Sequence, residues 1–90
     1  MTWRIEFEPG AQRDLGKLGS EPARRILRDL ADRVAHLDDP RALGAALSGS
    51  KLGDLWKYRV GDYRIVVDIQ DRLLLILVVR VGNRKDVYQR

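Results

Sequence analysis

The chain has 90 residues and a mass of 10.3 kDa, the size of one domain. Hydrophobic residues make up 44% and charged residues 33%, the balance of an ordinary soluble globule, and a chain this short has a modest core. With no cysteine and only His36 for a histidine, disulfides, thiolate zinc sites, cysteine nucleophiles and multi-histidine metal cages are excluded.

The net charge of +4 is unevenly spread. Residues 1–40 carry 7 basic against 8 acidic side chains, and residues 41–90 carry 10 against 5. The positive excess therefore belongs to the second half, where it would attract a polyanion such as nucleic acid. The plainer alternative is an arginine-rich solvated surface. No apolar run approaches the roughly 18 residues that cross a bilayer, and the first residues show no signal-peptide pattern. A cytoplasmic protein without a membrane partner is expected.

Trp3, Ile5 and Phe7 alternate with Arg4, Glu6 and Glu8, the period of a half-buried strand. Pro9-Gly10 stops it. Residues 11–18 carry Ala11, Leu15 and Leu18 on a short amphipathic turn or helix that Gly19 closes. Ser20 reads as the N-cap of the next helix, with Pro22 in its first turn. Ala23, Ile26, Leu27, Leu30, Ala31, Val34 and Leu37 recur at helical spacing up to Asp38-Asp39-Pro40. Residues 41–53 lack a period and read as a loop pinned by Leu43 and Leu47.

From residue 55 to 60, Trp56, Tyr58 and Val60 alternate with Lys57 and Arg59. Gly61-Asp62 suits a two-residue type II′ hairpin turn. The chain returns as residues 63–69 and turns again at Gln70-Asp71. Residues 72–81 are apolar on both faces, as in a centrally paired strand. The fold class expected is α+β: a C-terminal antiparallel meander of three strands, joined by the first strand, with the helices on one face. The other face is expected to be partly open, with Lys57, Arg59 and Arg64 as candidates to line it. Trp3, Trp56 and Tyr58 are expected in the core and His36 on the surface.

Leu47-x-Gly49, then Gly53-Asp54-Leu55-Trp56-Lys57-Tyr58-Arg59-Val60-Gly61-Asp62-Tyr63-Arg64-Ile65-Val66, resembles the RelE/ParE superfamily of bacterial toxins. Val81-Gly82-Asn83-Arg84-Lys85-Asp86-Val87-Tyr88 is similar to that family's C-terminal Gly-x-Arg-x-x-x-Tyr ending. The order strand, helix, helix, three strands agrees as well. The resemblance implies the toxin of a type II toxin–antitoxin pair, neutralised by a small antitoxin. RelE-like members cleave messenger RNA in the ribosomal A site; ParE-like members inhibit DNA gyrase without nuclease activity. Arg64, Arg84 and Tyr88 stand where the RNA-cleaving branch has its functional residues, and Lys57 and Arg59 where it has basic residues on the second strand. Two departures are Asn83, where many members have His, and the stop at Arg90 without the C-terminal helix of some relatives.

The resemblance thus implies a metal-independent, cofactor-free mRNA endonuclease. Its expected catalytic residues are Arg64, Arg84, Tyr88 and Lys57, with Arg59, Lys85 and Lys51 binding RNA phosphate. The expected partners are a cognate antitoxin and the 70S ribosome with its mRNA, and operator DNA only through the antitoxin. A gyrase inhibitor, or a protein retained for autoregulation with its antitoxin, are the competing readings. Cleavage by the 2′-hydroxyl builds negative charge on the phosphoryl oxygens, which guanidinium forks match. A base and an acid are also needed, and Lys57, Tyr88 and Arg59 remain open candidates. Lysine and tyrosine side chains titrate at about 10 in water, so nearby positive charge must adapt them. No credible carboxylate pair or phosphate-cradling glycine loop points to a metal.

Overall fold

The computed structural model describes residues 2–47 and 55–83. Strand β1 (Arg4–Phe7) leads into helix α1 (Pro9–Leu18), then helix α2 (Ser20–Asp29), which runs on through a π-helical turn, Leu30–Val34. A 3-10 turn, Pro40–Ala42, precedes the short strand β2 (Ala45–Ala46). Strands β3 (Leu55–Val60), β4 (Tyr63–Gln70) and β5 (Leu75–Asn83) follow, with a second 3-10 turn, Asp71–Leu73, between the last two. The five strands form one sheet in the order β1-β5-β4-β3-β2. All neighbours are antiparallel except β1 and β5, which run parallel. The α+β meander with helices on one face is therefore the architecture.

Registers explain why the sheet has one greasy face. Tyr58, Ile65 and Val81 are aligned across β3, β4 and β5; Trp56, Val67, Val78 and Phe7 form the next row, and Ile69, Ile76 and Ile5 the third. Ala11 of α1 and Ile26, Leu30 and Val34 of α2 and its π turn cover these rows. The spacing of four from Ile26 to Leu30 to Val34 keeps one stripe inward, while Leu27 stays 44% exposed. Trp3 and Tyr58 lie in the core and His36 is exposed, as expected.

Several boundaries differ from the sequence reading. Pro9 does not merely end the strand; it opens α1, at a position where its missing N–H is no loss. Gly19, with φ 94°, precedes α2 as N-cap, and Ser20 is already helical without a side-chain capping bond. The region after Pro40 is less irregular than expected, because Ala45 and Ala46 pair with Lys57 and Trp56. The second turn is longer, with a 3-10 turn ending at Leu74 in the left-handed region (φ 48°), so β5 begins at Leu75. The first hairpin is as expected: Gly61 has φ 58°, and Val60 pairs with Tyr63.

Candidate functional site

The face of the sheet away from the helices is basic for a simple reason. The alternation that sends Trp56, Tyr58 and Val60 inward sends Lys57 and Arg59 outward. In β4 the same alternation puts Arg64 and Val66 outward and Ile65 and Val67 inward. Register then assembles two rows. Arg59, Arg64 and Gly82 lie side by side on β3, β4 and β5, and Lys57, Val66 and Arg80 form the adjacent row. A recess of about 190 Å³ opens over them, lined by Gly44, Ala45, Lys57, Tyr58, Arg59 and Arg64. This face is less open at its centre than expected, since Arg64 is only 8% exposed and Val66 3%.

The charge arrangement is unfavourable by itself. Arg59 and Arg64 sit directly opposite each other, and like charges in cross-strand pairs repel. The ion pairs among the described residues join Arg4 to Glu6, Arg24 to Glu21, Arg33 to Asp29, Arg41 to Asp71 and Arg80 to Asp14. None of these carboxylates reaches Arg64 or Arg59. A guanidinium taken largely out of water beside another cation calls for an anion, and its planar fork matches a phosphate.

Loop packing shapes the recess wall. Gly44 has φ 77°, and a Cβ there would collide with the Lys57 carbonyl oxygen and lie 2.9 Å from both Trp56 Nε1 and Tyr58 Cδ1. Trp56 Nε1 donates to the Leu43 carbonyl at 2.7 Å, and the Tyr58 hydroxyl donates to the Pro40 carbonyl at 2.6 Å. These bonds hold the segment 40–46 against β3. Burial pushes the Tyr58 phenol up to about 12, with Arg41 opposing and Asp39 adding to the shift. Tyr58 is therefore a neutral strut of the wall. A second recess of about 260 Å³ lies across Gly44, lined by Asp29, Arg33, Val34, Leu43, Tyr58 and Arg59.

Comparison with known proteins decides the family. The model for the ParE toxin of type II toxin-antitoxin systems matches residues 5–88. The chain belongs to the RelE/ParE superfamily of type II toxins. Toxin RelG of Mycobacterium tuberculosis is 30% identical over the full length of both chains. The toxin–antitoxin complex RelBE2 of the same organism superposes with a TM-score of 0.82 at 24% identity, covering 93% of each chain. The free E. coli toxin RelE, as a double arginine mutant, gives 0.73 at 26% identity, covering 96% of this chain and 87% of that one.

Of the site residues expected in this RelE/ParE chain, Lys57, Arg59 and Arg64 meet at one recess. Arg84, Lys85, Tyr88 and Lys51 lie outside the described residues. Gly44 and Ala45 were missed by sequence reading; a glycine in a loop is a weak signal until the strand beneath it is known. Arg80 and Asp14 were missed too, although Arg80 is a lone charge within an apolar run and so carried a detectable signal. Among the described residues no group of three or more His, Asp or Glu side chains could hold a metal ion. No helix among them is long and apolar enough to cross a membrane.

Proposed function

We propose that this toxin is a ribosome-dependent mRNA endonuclease that arrests translation in the cytoplasm. The observation that carries the reading is Arg64: buried, with no carboxylate partner among the described residues, opposite Arg59 and beside Lys57 in one recess. A scissile phosphate placed there supplies the missing counter-charge. The 2′-hydroxyl attacks the adjacent phosphorus in line, the P–O5′ bond breaks, and a 2′,3′-cyclic phosphate and a free 5′-hydroxyl result. Arg64 donates to the non-bridging oxygens as their charge grows. One such donor lowers the barrier by about 3–4 kcal/mol in comparable oxyanion sites. In this reading Lys57 moves a proton at the same phosphate, and Arg59 holds a flanking one.

Arg84 and Tyr88 complete this reading on the strength of the sequence motif. Arg84 adds a second phosphate fork, and Tyr88 stacks on a base or transfers a proton. Lys51 and Lys85 contribute further phosphate contacts. Arg84→Lys is expected to rescue poorly, because an ammonium lacks the fork. Tyr88→Phe separates the two tyrosine roles, since stacking survives it and proton transfer does not.

The partner proposed is a cognate antitoxin, as in the archaeal RelE-RelB complex from Pyrococcus horikoshii, 26% identical to this chain. Through it the toxin reaches operator DNA. In vitro translation with purified protein, followed by primer extension, tests the activity: cuts within codons are expected. The match to the ParE toxin model favours a second reading, gyrase inhibition. Loss of supercoiling activity without mRNA cuts would establish that one instead.

A further inference from the structure

Strand β5 changes partners half-way along. Its first part pairs with β1 as far as Phe7 and Val78, and Glu8 N–H still donates to the Val78 carbonyl. Beyond that point β1 is gone. At the same place Val79 is an extra residue against β4, because Val67 pairs with Val78 while Val66 pairs with Arg80. Such a bulge re-aims the strand that carries it. The re-aimed part, from Arg80 to Asn83, runs beside Arg64, which faces Gly82.

One side chain takes over where β1 stops. Asp14, in the second turn of α1, accepts the Val81 amide at 2.9 Å and Arg80 Nε at 3.1 Å, both through Oδ2. Its side chain is only 15% exposed, and that of Arg80 28%. The carboxylate thus binds the edge of β5 where, among the described residues, no strand continues β1. It also anchors Arg80, which would otherwise add a further cation to the row holding Lys57.

We propose that Asp14 is a positioning residue for the phosphate site: it fixes the re-aimed end of β5 against α1 and so sets the strand that flanks Arg64. The proposal rests on the nuclease reading only for its kinetic consequence. The positional claim stands on the geometry of α1 and β5.

The test compares Asp14→Ala with Asp14→Asn in the full chain. The carboxamide oxygen of Asn still accepts the Val81 amide; Ala accepts nothing. Hydrogen exchange at Val81 should quicken about tenfold in the Ala variant, the worth of one buried amide bond, and change little in the Asn variant. Single-turnover cleavage of ribosome-bound mRNA should fall about 10- to 100-fold in the Ala variant, with half-saturation by ribosomes within about twofold of wild type. The Asn variant should recover most of that rate. Unchanged Val81 exchange in a folded Ala variant overturns the positional claim. Faster exchange with an unchanged cleavage rate overturns the link to the site. If the wild type does not cleave, the nuclease reading fails by itself, and the exchange comparison still decides what Asp14 holds.

Discussion

Arg64 separates what the fold tolerates from what the site requires. A buried cation with no carboxylate partner among the described residues is a liability that an apolar side chain of similar length would remove. Arg64→Met is therefore expected to raise stability by about 1 kcal/mol or more, read as a higher denaturation midpoint. The same variant should lose about 100- to 1,000-fold in mRNA cleavage rate. A destabilised Met variant would mean that the guanidinium is a structural group. Tyr58 is the opposite case, a polar group retained for the wall. Tyr58→Phe leaves the Pro40 carbonyl without its 2.6 Å donor and should cost about 1–2 kcal/mol in urea denaturation. The folded-state value of about 12 lies above the usual 10 for tyrosine. The unfolded chain thus gives up this proton first, so the contribution is whole below pH 10 and disappears as pH rises to 12. Stability against pH should be flatter over that window in the Phe variant.

The elements show which features local pattern can reveal. Strand β3 and its hairpin to β4 were legible because alternation, Gly61 and the flanking Val60 and Tyr63 all report the same thing. The π turn at Leu30–Val34 was not, because it preserves the inward stripe while changing the backbone bond from which the stripe is built. Strand β2 was invisible since two alanines have no pattern; only their pairing with Trp56 and Lys57 makes them a strand. The same limit applied to the site. Lys57, Arg59 and Arg64 could be placed on a face from alternation, whereas the recess depends on a loop crossing at Gly44, a tertiary event. That crossing gives a direct test of the wall. Gly44→Ala puts a methyl group into the Lys57 carbonyl at a positive φ and should cost about 1–3 kcal/mol. Displacing the loop that lines the recess should also lower cleavage by more than Ala45→Gly does.

At the scale of the molecule, the two halves of the chain divide the labour. The first half supplies the near-neutral helices over the core, and the second the basic strands. Ribosome affinity should therefore fall steeply as salt rises, since each phosphate contact releases counterions. A binding curve flat between 50 and 200 mM salt, the range over which about 6 contacts would lose some 10³ in affinity, would place the contact elsewhere. An antitoxin that crosses the basic face should compete with the ribosome and show the same salt dependence. Leu27 on α2, and Leu73 and Leu74 in the turn between β4 and β5, are exposed apolar side chains.

The parallel pairing of β1 with β5 ties the fourth residue to the seventy-fifth. Every residue from the fourth to the seventy-fifth must be made before that ladder has both its strands, and closing so long a loop is slow. A nascent chain can wind α1 and α2 and fold the β3–β4 hairpin early, yet Arg64 then lacks the strand on its far side. On the nuclease reading proposed above, the phosphate site gains its second wall only once β5 has been made and has docked beside β4.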